Sequence, residues 1–249
     1  MAITSKVLTV LVTVLLFGCR SGEPEPARVR VGQFLTGTPG ARLTLSGERD
    51  SLVFDLEYGR LSAYRTLSPG EYTVEVAPRD GGPVIRQAVG LGAGSRLTLV
   101  PVGTVTPGQE VNAAPFLAHL HRAVEGAAAV SARAYLPQLL VVNDYFVDVA
   151  GQGNLRLLHL VPGRPPVDLS IRNAGREAVS QSGLGYVHAS ERERIAAGTY
   201  TLAIHLAGSP VRVLRDSLTV RADELTDLFL IAEDAQGNGW QIVSGRTGK

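Results

Sequence analysis

The chain has 249 residues, 45% of them hydrophobic, and a formal net charge of +1. That length holds one large domain or two small ones around a real core, and the composition excludes a disordered tail. The charge balance argues against nucleic acid as a partner, and a single cysteine excludes an intrachain disulfide or a zinc site built on cysteine pairs.

Residues 1–18 read as an export leader. Lys6 precedes an apolar run from Val7 to Phe17, the length of a signal-peptide core and short of the ~20 residues a spanning helix needs. The run closes in Leu16-Phe17-Gly18-Cys19, which resembles the bacterial lipoprotein box, where a small residue precedes a cysteine that is acylated and becomes the new N-terminus. The resemblance implies lipidation of Cys19, a membrane lipid as partner, and a place in the cell envelope outside the cytoplasm. Arg20 stands where an aspartate would resemble an inner-membrane retention signal, which favours the outer membrane in a cell with two. Acyl chains anchor firmly because each buried methylene contributes ~0.8 kcal/mol. Residues 19–26, with Ser21-Gly-Glu-Pro-Glu-Pro26, read as a short extended tether.

A repeat follows. The run from Arg28 to Leu45 aligns without gaps to the run from Asn154 to Ile171, so that Arg30 falls on Arg156 and Leu43 and Leu45 on Leu169 and Ile171. Farther on, Ser68-Pro-Gly-Glu-Tyr-Thr-Val-Glu-Val76 matches Ala196-Ala-Gly-Thr-Tyr-Thr-Leu-Ala-Ile204 after a drift of two residues, and Tyr58 and Tyr186 share that register. Each copy reads as β. Tyr72, Val74 and Val76 alternate with polar residues, as do Tyr200, Leu202 and Ile204, the period of a half-buried strand. Short strands between Gly, Pro and Ser turns predict an antiparallel sandwich in each copy, with no parallel sheet.

Between the copies the period changes. Pro115 sits where a helix starts, Phe116, Leu120, Val124 and Ala127 follow at spacings of four and three, and Pro137 closes the stretch. This predicts a helical insertion over about 112–137, before the last strand of the first domain. An isolated helix of that length is marginal in water, so its apolar stripe is expected to dock on the first sheet or at the junction of the copies. The expected organisation is a leader (1–18), a tether (19–26), a first domain (27–147), a linker (148–153) and a second domain (154–249).

At these residues the chain resembles the bacterial domain of unknown function 4397. The likeness rests on the Leu155 to Ile171 run, the Tyr58-Gly59 pair and the Pro69-Gly-Glu-Tyr-Thr-Val-Glu-Val76 run. It implies two tandem copies of an exported, Ig-like sandwich with no established activity. The first copy departs from the pattern where Gln33 stands in place of His159.

No residue set predicts catalysis, a cofactor or a metal. His119 and His121 lie two apart in the expected helix and so on different faces. His159 follows a strand without a Ser or Cys nucleophile motif beside it, and reads as a packing residue. Gly90-Leu-Gly92-Ala-Gly94 reads as a hairpin turn, Glu191-Arg-Glu-Arg194 as a solvated strand edge, and Trp240 as core in the final strand. Asp144 and Asp148 are weak calcium candidates, because the loop lacks a dense carboxylate pattern. The leading expectation is a non-catalytic surface module, binding an envelope protein or a glycan. Its rivals are a hydrolase assembled from His159, His188 and Asp168, or a small-ligand or glycan carrier with a cleft between the domains.

Overall fold

The structure, a computed structural model, describes residues 23–105 and 135–248. The leader, Cys19, His119 and His121 lie outside these residues. So does the expected helical insertion apart from Tyr135, Leu136 and Pro137. Among the described residues no α-helix occurs.

The first half contributes β1 (Ala27–Thr36), β2 (Gly40–Gly47), β3 (Ser51–Glu57), β4 (Arg60–Leu61), β5 (Arg65–Leu67), β6 (Gly70–Pro78), β7 (Ile85–Leu91), β8 (Arg96–Thr104) and β9 (Gln138–Asn143). The second contributes β10 (Gln152–His159), β11 (Val167–Asn173), β12 (Arg176–Leu184), β13 (His188–Ala189), β14 (Glu193–Ala196), β15 (Gly198–Leu206), β16 (Arg212–Val220), β17 (Leu225–Ile231) and β18 (Gln241–Thr247). The second half repeats the strand order of the first. A five-stranded sheet, β4/β5-β1-β8-β9, faces a four-stranded one, β3-β2-β6-β7; in the same way β13/β14-β10-β17-β18 faces β12-β11-β15-β16.

The alternating residues behave as their period predicts. Tyr72, Val74 and Val76 of β6, and Tyr200, Leu202 and Ile204 of β15, turn into the cores between paired sheets. In both strands the tyrosine hydroxyl donates to a carbonyl four residues upstream, Tyr72 to Ser68 at 2.8 Å and Tyr200 to Ala196 at 2.7 Å. That bond pins the turn entering each strand.

The expectation of purely antiparallel sheets is corrected. β1 pairs in parallel with β8, and β10 with β17. A parallel pair needs a long crossover, and here the crossover is the whole four-stranded sheet. Gly90 to Gly94 is therefore no hairpin, since it carries the chain from β7 in one sheet to β8 in the other.

The two five-stranded sheets pack against each other. Every residue of β17 is buried, as are nearly all of β1, β8 and β10, the mark of a strand covered on both faces. Phe34, Val100, Val102, Val142, Leu158, Leu160, Phe229 and Ile231 fill this junction, with the Phe34 and Phe229 rings 5.2 Å apart. The sheets themselves thus join the halves.

The halves lie side by side with their central strands running one way. Arg30, near the start of β1, bonds Asp227, near the start of β17, while the amide of Gly37, past the end of β1, donates to the Ala235 carbonyl, past the end of β17, at 2.6 Å. The chain consequently enters at Ala27, passes between the halves at 144–151 and finishes at Gly248, all at one end of the body, here called the tether end. The last part of the expected tether is docked there, because the Glu25 carbonyl accepts the Gly94 amide at 2.9 Å.

Truncating Phe34, fully buried in the junction, should cost about 3–5 kcal/mol. Urea unfolding followed by both tyrosine and Trp240 fluorescence should shift as one transition. Two separated transitions would show that the junction does not couple the halves.

Candidate functional site

Polar chemistry concentrates inside the junction, near the tether end. Arg30 is 2% exposed, Arg156 6%, and Asp144 and Asp227 not at all. Arg30 donates from Nε to the Thr98 hydroxyl at 2.7 Å, from Nη2 to Asp227 at 3.0 Å and from Nη1 to the Arg246 carbonyl at 3.1 Å. Arg156 donates from Nε to Asp227 at 2.8 Å, from Nη2 to Asp144 at 3.1 Å and from Nη1 to the Asn143 carbonyl at 2.9 Å. Asp144 also accepts from the hydroxyls of Thr98 at 2.6 Å and Tyr64 at 2.7 Å. The four charges cancel, and each carboxylate spans both guanidiniums. Gly245 makes room, because a Cβ there would stand 2.9 Å from Nη1 of Arg30.

The cluster is built from equivalent positions used unequally. Arg30 is in register with Thr98, and Arg156 with Asp227. Leu97 is opposite Asn143, and Thr226 opposite Arg246. Thr98 is therefore the counterpart of Asp227, and Asp144 the counterpart of Thr247. Each half supplies one arginine, one aspartate and one threonine, with the acid and the hydroxyl exchanged.

The outer strands close the cluster. β4 and β5 are interrupted at Ser62, whose hydroxyl accepts the Val31 amide at 2.9 Å; Ser190 does the same for Leu157 between β13 and β14, also at 2.9 Å. Two residues beyond each serine lies a cover. The Tyr64 ring stacks 4.7 Å from the Arg30 guanidinium, and its hydroxyl accepts a 2.7 Å bond from Thr247 while donating to Asp144. Arg192 instead donates to the carbonyls of Tyr145, at 2.5 Å, and Asn143. The edge expected to be solvated at 191–194 is exposed at Glu191, Arg192 and Arg194, and Arg192 in addition clamps the connection between the halves.

Burial pushes the Asp227 carboxyl above its ordinary range; Arg156 and Arg30 oppose the rise and Asp144 adds to it. Burial likewise raises the Tyr64 hydroxyl, with the Asp144 charge adding.

At the opposite end of the junction His159 is fully buried. Its Nδ1 accepts the Val161 amide at 3.3 Å, so Nε2 carries the proton and donates to the Pro165 carbonyl at 3.2 Å. Both ring nitrogens hold the β10–β11 turn. Burial pushes its pKa down to about 4, the Pro165 carbonyl partly opposing and His188 adding. The ring centroid lies 5.8 Å from Trp240 and 6.4 Å from Tyr186, and Arg164 covers Trp240 at 5.7 Å. Trp240 is half-buried and precedes β18 rather than lying in it. Gln33 occupies the matching place in the first half, its Oε1 accepting the Leu35 amide at 3.4 Å.

Val187, beside Tyr186, adopts φ = +64° where the first half has Gly59 at +75°. A β-branched residue there costs on the order of 1–3 kcal/mol. Its amide donates to the His159 carbonyl at 2.7 Å and its side chain packs on the junction core, which together hold it.

The residues proposed for a hydrolase do not assemble. His159 and His188 are neighbours across β10 and β13, but the His188 ring is exposed and bonds the Tyr186 carbonyl. Asp168 accepts the amides of Gly183 at 2.8 Å and Gly208 at 3.0 Å. Asp144, a calcium candidate, is spent on arginines. Among the described residues no group of three or more His, Cys, Asp or Glu is placed to hold a metal ion. Two open depressions, around Gly90 and beside Asp50, are lined by none of these groups. The arrangement binds and orients its own strands, with its four charged groups buried.

Fold and site together define a doubled β-sandwich body whose interior polar groups serve the joint between its halves. Residues 27–138 match the family described as domain of unknown function, DUF4397. No curated protein matches the chain. Among solved structures it is similar to the TIE protein of Bacillus anthracis, at 10% identity and TM-score 0.27 over 83% of this chain and 50% of that one. It is similar to a leucine-rich repeat protein from Bacteroides thetaiotaomicron, at 13% identity and TM-score 0.21 over 83% of this chain and 26% of that one. A third, described as a candidate cell adhesion protein from Bacteroides ovatus, matches at 9% identity and TM-score 0.20 over 89% of this chain and 96% of that one. The chain thus spans half the length of the first and about a quarter of the second.

Arg156→Ala strands two buried carboxylates and should cost about 3–5 kcal/mol. Arg42→Ala, which removes an ion pair to Asp55 on an exposed face, should cost under about 1 kcal/mol. Chemical denaturation of both variants gives the comparison, and equal losses would place the cluster on solvent.

His159 also predicts a pH slope. The unfolded imidazole takes a proton below its ordinary 6.5 and the folded one only near 4, so its share of stability is complete above pH 6.5 and is lost as pH falls to 4. The share is on the order of 3 kcal/mol. Asp227 slopes the other way, since a raised carboxyl holds its proton longer when folded. The difference in unfolding free energy between wild type and His159→Gln cancels that contribution, and should shrink by this amount from pH 7 to pH 4. A constant difference would mean that the ring is charged in the folded protein.

Proposed function

We propose that this protein is an exported lipoprotein, held to a membrane of the cell envelope by an acylated Cys19. In this reading its two halves are tandem Ig-like copies of one family domain, and it acts as a non-catalytic surface, adhesion or scaffolding module for an envelope protein or glycan. The observation that carries the reading is the use of the buried polar groups. Arg30, Arg156, Asp144 and Asp227 are consumed in joining the halves, and His159 in holding one turn. A body organised this way is suited to present surfaces at a fixed geometry. The repeated strand order and the tyrosine bond in β6 and β15, a feature of Ig-type corners, support the tandem Ig-like assignment. The sole cysteine at the end of an apolar leader supports the anchor.

Cys19→Ser tests the anchor. Fractionation of cells expressing the variant should find the protein released from membranes, or unprocessed with its leader attached. Processed variant retained in the membrane fraction as fully as the wild type would overturn the reading.

A further inference from the structure

We infer that the connection between the halves, Tyr145-Phe146-Val147, is a second membrane contact that seats in the lipid interface beside the anchor. The inference rests on the lipid-anchored reading above. Three observations lead to it.

The leash is short. Between Cys19 and Glu25, whose carbonyl is bonded to Gly94, the chain has only residues 20–24. Fully extended, that stretch spans at most about 20 Å. An anchored chain therefore holds its tether end close to the headgroups.

The connection crosses that same end and is apolar on the outside. Five large hydrophobic residues are exposed among those described, and three of them, Val141 (41%) in β9 and Tyr145 (66%) and Val147 (59%) just past it, fall at alternate positions of the chain. Exposed aromatic and aliphatic groups together are what the interface favours, tyrosine because its ring is apolar and its hydroxyl wet.

The connection is also held in place. The Tyr145 amide donates to the Asn143 side chain at 2.9 Å, the Tyr145 carbonyl takes Arg192 at 2.5 Å, and the Val147 carbonyl takes Asn154 at 3.4 Å. These bonds use the backbone and leave the Tyr145 and Val147 side chains outward. A preordered segment loses little entropy on contact.

Charge does not drive the contact. The exposed arginines at this end, Arg192 beside Tyr145 and Arg49 beside Glu48 among them, stand among exposed Glu23, Glu25, Glu48, Glu71 and Glu191. The seating should therefore be insensitive to anionic lipid and to salt.

The test uses the mature chain from Cys19, coupled through that sole thiol to a maleimide-headgroup lipid. The vesicles are phosphatidylcholine, with or without phosphatidylglycerol, and carry a lipid spin-labelled near the glycerol backbone. Tyr145→Trp in a Trp240→Phe background places the only indole at the connection, while the wild type keeps it at Trp240, at the opposite end. The expected result is a blue shift and loss of most emission for the indole at 145, equal in both lipid mixtures, with Trp240 unquenched. A coupled indole at 145 that keeps the emission of the free protein overturns the contact, as does quenching only with phosphatidylglycerol. Because coupling is chemical, this outcome is independent of acylation in the cell, which the Cys19→Ser fractionation reads separately.

Discussion

The junction between the five-stranded sheets depends on one buried group of four charges, two guanidiniums and two carboxylates with a net charge of zero. Removing any member leaves an uncompensated charge in a low-dielectric interior, so the four are present together or not at all. Such a group is a weak source of net stability, because desolvation consumes much of the attraction. The driving force for joining the halves comes instead from Phe34, Phe229 and the aliphatic residues around them. What the ionic group adds is alignment. A slide of one residue along a strand would turn Arg30 or Asp227 to the opposite face of its sheet, and an apolar contact alone would not resist that slide.

The two halves share a plan without sharing its details. The aspartate of one stands where the other has threonine, Tyr64 covers one side and Arg192 the other, and Gln33 matches His159. Gly59 relaxes a turn that Val187 holds under strain. These differences follow from what a joint between similar surfaces requires, which is that they be complementary. Two identical faces would each need both members of every pair.

The arrangement gives the body two unlike ends. Entry, exit and the crossing between halves lie at one, and the β10–β11 turn, held from inside by a neutral histidine, lies at the other. A histidine kept uncharged by burial, with both nitrogens bonded to one turn, is a fastener rather than a proton carrier. Asp144 is likewise a fastener, its oxygens taking bonds from a guanidinium and two hydroxyls.

The sequence by itself determined the local structure. A two-residue apolar period needs only neighbouring positions, so β6 and β15 with their buried tyrosines were legible. It also contained one mark of the joint, an arginine repeated at the same place in two apolar strands, Arg30 and Arg156. The partners of those arginines were not legible. Asp144 and Asp227 are not equivalent in the repeat, so no alignment of one copy on the other pairs them, and Asp144 read with Asp148 only as a weak calcium candidate. Only the tertiary structure decided that β1 and β8 run parallel, that Gly90 to Gly94 crosses between sheets, and that the halves lie side by side. Strand direction and sheet pairing are set by which faces must be buried together. That choice is made between residues far apart in the chain, where periodicity gives no information.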